Sequence, residues 1–103
     1  MIKKIETPYY ECHVTVDKFH KFDEYIMQLV LNNDPDWKFS NITDDIVLGP
    51  GPKMYATANF PTEIGIKQCK ENLAECVLKL KHLGLQVVRY KIECVVFDER
   101  LVA

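Results

Sequence analysis

The sequence predicts an α+β architecture: a four-stranded antiparallel sheet with two helices on one of its faces. Three observations carry this. Side-chain character alternates at a period of two in residues 9–16, 53–60 and 85–97, as half-buried strands require. The period switches to a helical one in residues 18–31 and again after Thr62. The two ends also echo each other, Glu11-Cys12-His13-Val14 against Glu93-Cys94-Val95-Val96, as expected of two βα halves sharing one sheet.

The elements follow in order. Residues 9–16 are rich in β-branched and aromatic side chains and read as the first strand. Asp17 offers an oxygen to cap a helix. Phe19, Phe22, Ile26, Leu29 and Val30 recur at helical spacing, which predicts an amphipathic helix over 18–31. Asn32-Asn33-Asp34-Pro35-Asp36 stops it, since these residues favour turns. Residues 37–42 read as a short second strand, with Trp37 as an edge or core anchor. Residues 43–52 are less regular, and Gly49-Pro50-Gly51-Pro52 has no place inside a ladder. It reads as a stiff connection bordering the sheet.

Residues 53–60 read as the third strand. Pro61-Thr62 opens the second helix, with Thr62 as cap and Glu63 in the favourable first turn. Ile66, Cys69, Leu73, Cys76, Val77 and Leu80 form its apolar stripe, and Gly84 is placed to close it in a left-handed conformation. Residues 85–97 read as the last strand and 98–103 as a tail. The order β-α-β-β-α-β is the split βαβ, or ferredoxin-like, pattern. It predicts one domain spanning residues 1–103, a length that supports a core without metal or disulfide staples.

Composition bounds the function. Of 103 residues, 48% are hydrophobic and 27% charged, with a net charge of −2, so the basic field of a general nucleic-acid binder is missing. The N-terminus lacks the apolar run of a secretion signal and no stretch reaches membrane-spanning length, so a cytoplasmic setting is expected. Cys12, Cys69, Cys76 and Cys94 include no Cys-x-x-Cys pair and no nearby His pair, which argues against a zinc site. All four fall on expected inward faces and read as buried free thiols. No metal or cofactor is implied. Asp44 and Asp45 read as exposed turn acids, and Asn41-Ile42-Thr43 carries no weight as a glycosylation site without a secretion signal. His20 reads as a solvated helix residue. His82 suits the negative end of the second helix.

Alternation assigns the faces. Tyr10, Cys12, Val14 and Val16 point to the helices, as do Met54, Ala56, Ala58 and Phe60. In the last strand Val88, Tyr90, Ile92, Cys94 and Val96 point the same way. The open face then gathers Tyr9, Glu11, His13, Thr15, Lys53, Tyr55, Thr57, Asn59, Arg89, Lys91, Glu93 and Val95. Arg89 and Lys91 suit a phosphate or carboxylate. Glu11, Thr15, Tyr55 and Thr57 complete a candidate ligand-binding set. His13 is a candidate general acid or base, with Glu93 or Glu11 to orient it. A plainer reading is a solvated face of cross-strand ion pairs. A third has a second copy covering the face through Tyr9, Tyr55 and Val95.

His13-Val14-Thr15 on a strand resembles one half of the paired His-x-Thr signature of the 2H phosphoesterase superfamily. That resemblance implies phosphoester hydrolysis with His13 as base and Glu93 as its orienter. The family's second motif is not matched, since the echoing strand carries Lys91-Ile92-Glu93 and Val95-Val96-Phe97. Residues 88–93 are also similar to the closing strand of small ferredoxin-like proteins that open with a His-x-Thr-Val strand, a likeness that supports the fold and implies no activity. The leading expectation is a binding module for an anionic small molecule or peptide on the open face. The alternatives are the hydrolase and a dimerising structural protein.

Overall fold

The computed structural model describes residues 2–5, 8–42, 51–96 and 98–101. The elements are β1 (Ile2–Ile5), β2 (Tyr9–Asp17), α1 (Asp23–Leu31), β3 (Trp37–Ile42), β4 (Lys53–Pro61), a 3₁₀ turn (Thr62–Ile64), α2 (Ile66–His82), β5 (Gln86–Val95) and β6 (Asp98–Leu101). The main sheet is antiparallel with strand order β3-β4-β2-β5. That order, with its two helices, is a ferredoxin-like layout. β1 and β6 pair separately, from Ile2↔Leu101 to Ile5↔Asp98. The expected tail at 98–103 therefore contains a strand, and its partner lies at the opposite terminus.

The core forms between one sheet face and both helices. Cys12, Val14 and Val16 on β2 are fully buried, and so are Met54 and Ala56 on β4, Met27 on α1, and Cys69 and Leu80 on α2. Large and small residues alternate across the strands. Trp37 stands opposite Ala58 and Phe39 opposite Ala56, so the short β4 side chains leave room for the β3 aromatics. Trp37 also meets Phe60 edge-on, ring centroids 6.2 Å apart at 70°.

α1 begins five residues later than the pattern predicts. Asp17, the expected cap, is instead engaged with Lys53, 3.0 Å away. α1 has no side-chain cap; the Asp23 carboxylate in its first turn instead accepts hydrogen bonds from the backbone amides of Phe19 and His20, both at 3.0 Å. These bonds fold residues 19–22 into a turn, which leaves Phe19 and Phe22 exposed. The second helix is also broken near its start. Thr62 makes no capping bond, and Gly65 with φ +83° separates the 3₁₀ turn from α2. At the other end the expected glycine closure is present. Gly84 has φ +83°, its amide bonds the Lys81 carbonyl, and the Leu85 amide reaches back to Leu80. This is the Schellman arrangement, and Leu85 is buried behind it.

β5 departs most from simple alternation. Thr15 pairs with Arg89 but Val16 pairs with Val87, so Val88 is an extra residue at a bulge. Val87 consequently packs on the core, while Val88 is exposed. As an edge strand, β5 has a neighbour on one side only. Parity alone therefore does not cover its helix-side residues: Tyr90 is exposed, as are Cys94, against the expected burial of all four thiols, and Val96 just past the strand's end.

Burial pushes the Cys12 and Cys76 thiols up to about 12, and Cys69 is fully enclosed, its sulfur 3.3 Å from that of Cys12. A thiol reagent at pH 8 is expected to label only Cys94 in the native protein and all four after denaturation, as counted by mass spectrometry. Gly84→Ala is expected to lower the unfolding free energy by about 1 kcal/mol or more. The added methyl meets nothing within 4 Å, so the loss measured in urea reports backbone strain alone.

Candidate functional site

Strand register builds the open face as rows of side chains. One row runs Lys38, Thr57, His13, Lys91 from β3 to β5. The next runs Ser40, Tyr55, Thr15, Arg89. A third places Asn59 and Glu93 on either side of Glu11. With strands ~4.8 Å apart, each full row spans about 14 Å.

The first two rows enclose a concave pocket of about 280 Å³ lined by His13, Thr15, Ser40, Tyr55, Thr57, Arg89 and Lys91. Thr15 is only 5% exposed although it lies on the open side. Its registered neighbours, Tyr55 and Arg89, are both longer, so Thr15 forms the floor. Four hydroxyls, an imidazole, a guanidinium and an ammonium make up the lining, which contains no carboxylate.

His13 is held at both ring nitrogens. Nε2 lies 2.6 Å from Glu11 Oε1, and Nδ1 lies 3.3 Å from Thr57 Oγ1. Of the two carboxylates expected to orient His13, Glu11 makes the contact and Glu93 does not. Glu93 is instead ion-paired with Lys91, two residues away on the same strand face. The Lys91 hydrogen bond holds the Glu93 carboxyl below its usual range, helped by the charges of His13 and Arg89. Among the described residues Arg89 belongs to no ion pair.

Of the residues singled out from sequence, His13, Thr15, Tyr55, Thr57, Arg89 and Lys91 line the pocket, while Glu11 and Glu93 stand at its margin. Ser40 was missed. The alternation of Trp37 and Phe39 toward the core points Lys38 and Ser40 outward, so the signal was present in the short second strand. Lys53, placed on the open face by alternation, is 6% exposed. Its contact with Asp17 Oδ1 is a close charge pair, too oblique for a hydrogen bond.

His20, expected within the first helix, is exposed in the turn that precedes α1, and His82 is exposed at the last position of α2. Asp44, Asp45, Thr43, Gly49 and Pro50 lie outside the described residues. Among the described residues no three His, Cys, Asp or Glu side chains converge as a metal-binding group, and no helix is long and apolar enough to cross a membrane.

Comparison with family models, curated proteins and solved structures finds no match to this chain.

Asp17→Asn leaves the Lys53 ammonium buried without a counter-charge. It is expected to cost about 1–3 kcal/mol of stability. Asp17→Asn/Lys53→Met removes both charges of the pair and is expected to cost less. Urea denaturation of the two variants beside the wild type checks the order.

Proposed function

We infer that the open sheet face binds a small molecule carrying a phosphate or carboxylate group. The observation that carries this reading is the pocket lining: two cations and four hydroxyls around one hollow, with no carboxylate among them. An anion there would meet Arg89 in a forked geometry suited to two oxygens. Lys91 would add a second charge, and the Thr15, Ser40, Tyr55 and Thr57 hydroxyls would supply hydrogen bonds.

Size narrows the ligand. A hollow of about 280 Å³ lies just under the usual range for sites that take drug-sized molecules. It suits a compact anion or the anionic head of a larger molecule, and a dinucleotide is too large for it. His13 serves this reading as a fixed wall of the pocket. A general-base role would fall to Nδ1, with Glu11 orienting the ring through Nε2, and Nδ1 here faces the Thr57 hydroxyl at 3.3 Å.

Thermal unfolding is the test, run with inorganic phosphate, phosphate monoesters and short dicarboxylates. A ligand at 100 times its dissociation constant stabilises by about 2.7 kcal/mol, enough to raise the midpoint by about 10 °C or more. Arg89→Ala is expected to remove that shift while leaving the ligand-free midpoint nearly unchanged, because Arg89 holds no ion pair among the described residues. No shift for the wild type across the panel, or an equal shift in Arg89→Ala, rejects the reading.

A further inference from the structure

We propose that a second copy of this chain adds to the outer edge of β5, antiparallel and centred on Ile92, to give one continuous eight-stranded sheet. β5 is the last strand in the order β3-β4-β2-β5, so one side of its ten-residue backbone has no strand neighbour among the described residues. An unpaired edge of this length presents free amides and carbonyls that another strand can satisfy.

Two features beside that edge fit a copy of β5 itself. The first is charge. A two-fold axis normal to the sheet reverses the strand and keeps the two open faces on the same side. With Ile92 at the axis, Lys91 of each copy stands opposite Glu93 of the other, two opposite-charge pairs in one contact. Moving the axis by one residue is unfavourable in either direction. An axis at Lys91 sets that lysine against itself, and an axis at Glu93 sets the two glutamates together. An axis at Tyr90 opposes Arg89 to Lys91 twice. Only the Ile92 register pairs these charges with no like-charge contact, and like charges directly opposite are destabilising.

The second feature is the helix side. There the same register opposes Ile92 to Ile92 and Tyr90 to Cys94, all apolar or weakly polar. Tyr90 is 57% exposed, and Cys94 is exposed as well. Beside them runs a largely apolar groove of about 360 Å³ between α2 and the strand, lined by Leu73, Ala74, Tyr90 and Ile92 together with Lys70 and Lys91. The incoming Ile92 and Cys94 side chains project over that groove. The bulge at Val88 ends the straight part of the edge, so the pairing covers residues 89–95 and stops there.

Charge exchange tests the register. Sedimentation equilibrium of the wild type is expected to show a dimer. Lys91→Glu and Glu93→Lys alone are each expected to weaken it at least 10-fold, and the double variant to restore it, with circular dichroism confirming that all four chains fold. A cross-link gives an independent measurement. Tyr90→Cys is expected to form a disulfide-linked dimer with the native Cys94 of the other copy under mild copper-phenanthroline oxidation, and Tyr90→Cys/Cys94→Ser to give none. A wild type that stays monomeric up to about 1 mM overturns the proposal. So does a dimer indifferent to the single charge changes, or a Tyr90→Cys chain that does not cross-link.

Discussion

Everything in this molecule depends on β2 having a strand on each side. Its nine residues are paired with β4 along their whole length and with β5 along the other edge. One side of the strand puts Cys12, Val14 and Val16 at zero exposure under the helices. The other puts Glu11, His13 and Thr15 on the open face. Core and pocket are therefore two consequences of one register. A slip of one residue would turn His13 and Thr15 into the core and expose three buried apolar residues, a loss of several kcal/mol. The geometry around the pocket is held by hydrophobic burial on the opposite side of the sheet.

The bulge in β5 adjusts this arrangement locally. Without it, Val16 would pair with Val88, and Val88 would be the residue facing the helices. The extra residue exchanges Val88 for Val87 in that place and leaves Arg89 on the open face opposite Thr15. Bulges commonly re-aim side chains next to sites in this way. Here the strand regains a packed valine while keeping its guanidinium beside the pocket.

How much of this is legible in the amino-acid order follows from what each element depends on. β2 and β4 face the core with every second residue, and their pattern alone gives the inward and outward sets. The Gly84 closure is equally local, since only glycine adopts that backbone without strain. The start of α1 is not local. Asp17 would cap a helix by propensity, but a lysine 36 positions along the chain occupies its carboxylate, and Asp23 organises the turn instead. Cys94 has the right parity for burial and lies on an edge, a property of strand order that no window of sequence reveals. The β1–β6 pair joins two four-residue segments from opposite termini, too short for a period and too distant for a turn signal. For the pocket, the parity of three strands brings together six of its seven lining residues. The seventh, Ser40, sits on the shortest strand of the main sheet, where two aromatics were the only guide.

The ion pairs explain why the pocket is basic in a chain whose net charge is −2. Three acids share the open face and none of them lines the hollow; Asp17 pairs with Lys53, Glu11 with His13, and Glu93 with Lys91. Glu93 stays ionised because Lys91 lowers its proton affinity, so Lys91 is already partly neutralised. Pairs this exposed contribute at most about 1 kcal/mol, and an incoming anion can share Lys91 at small cost. Arg89 differs. Its charge lines the same hollow as four hydroxyls and is opposed by no carboxylate in the lining. In the proposed reading the strongest attraction for an anion would therefore come from Arg89, with Lys91 supplementing it only as far as Glu93 yields.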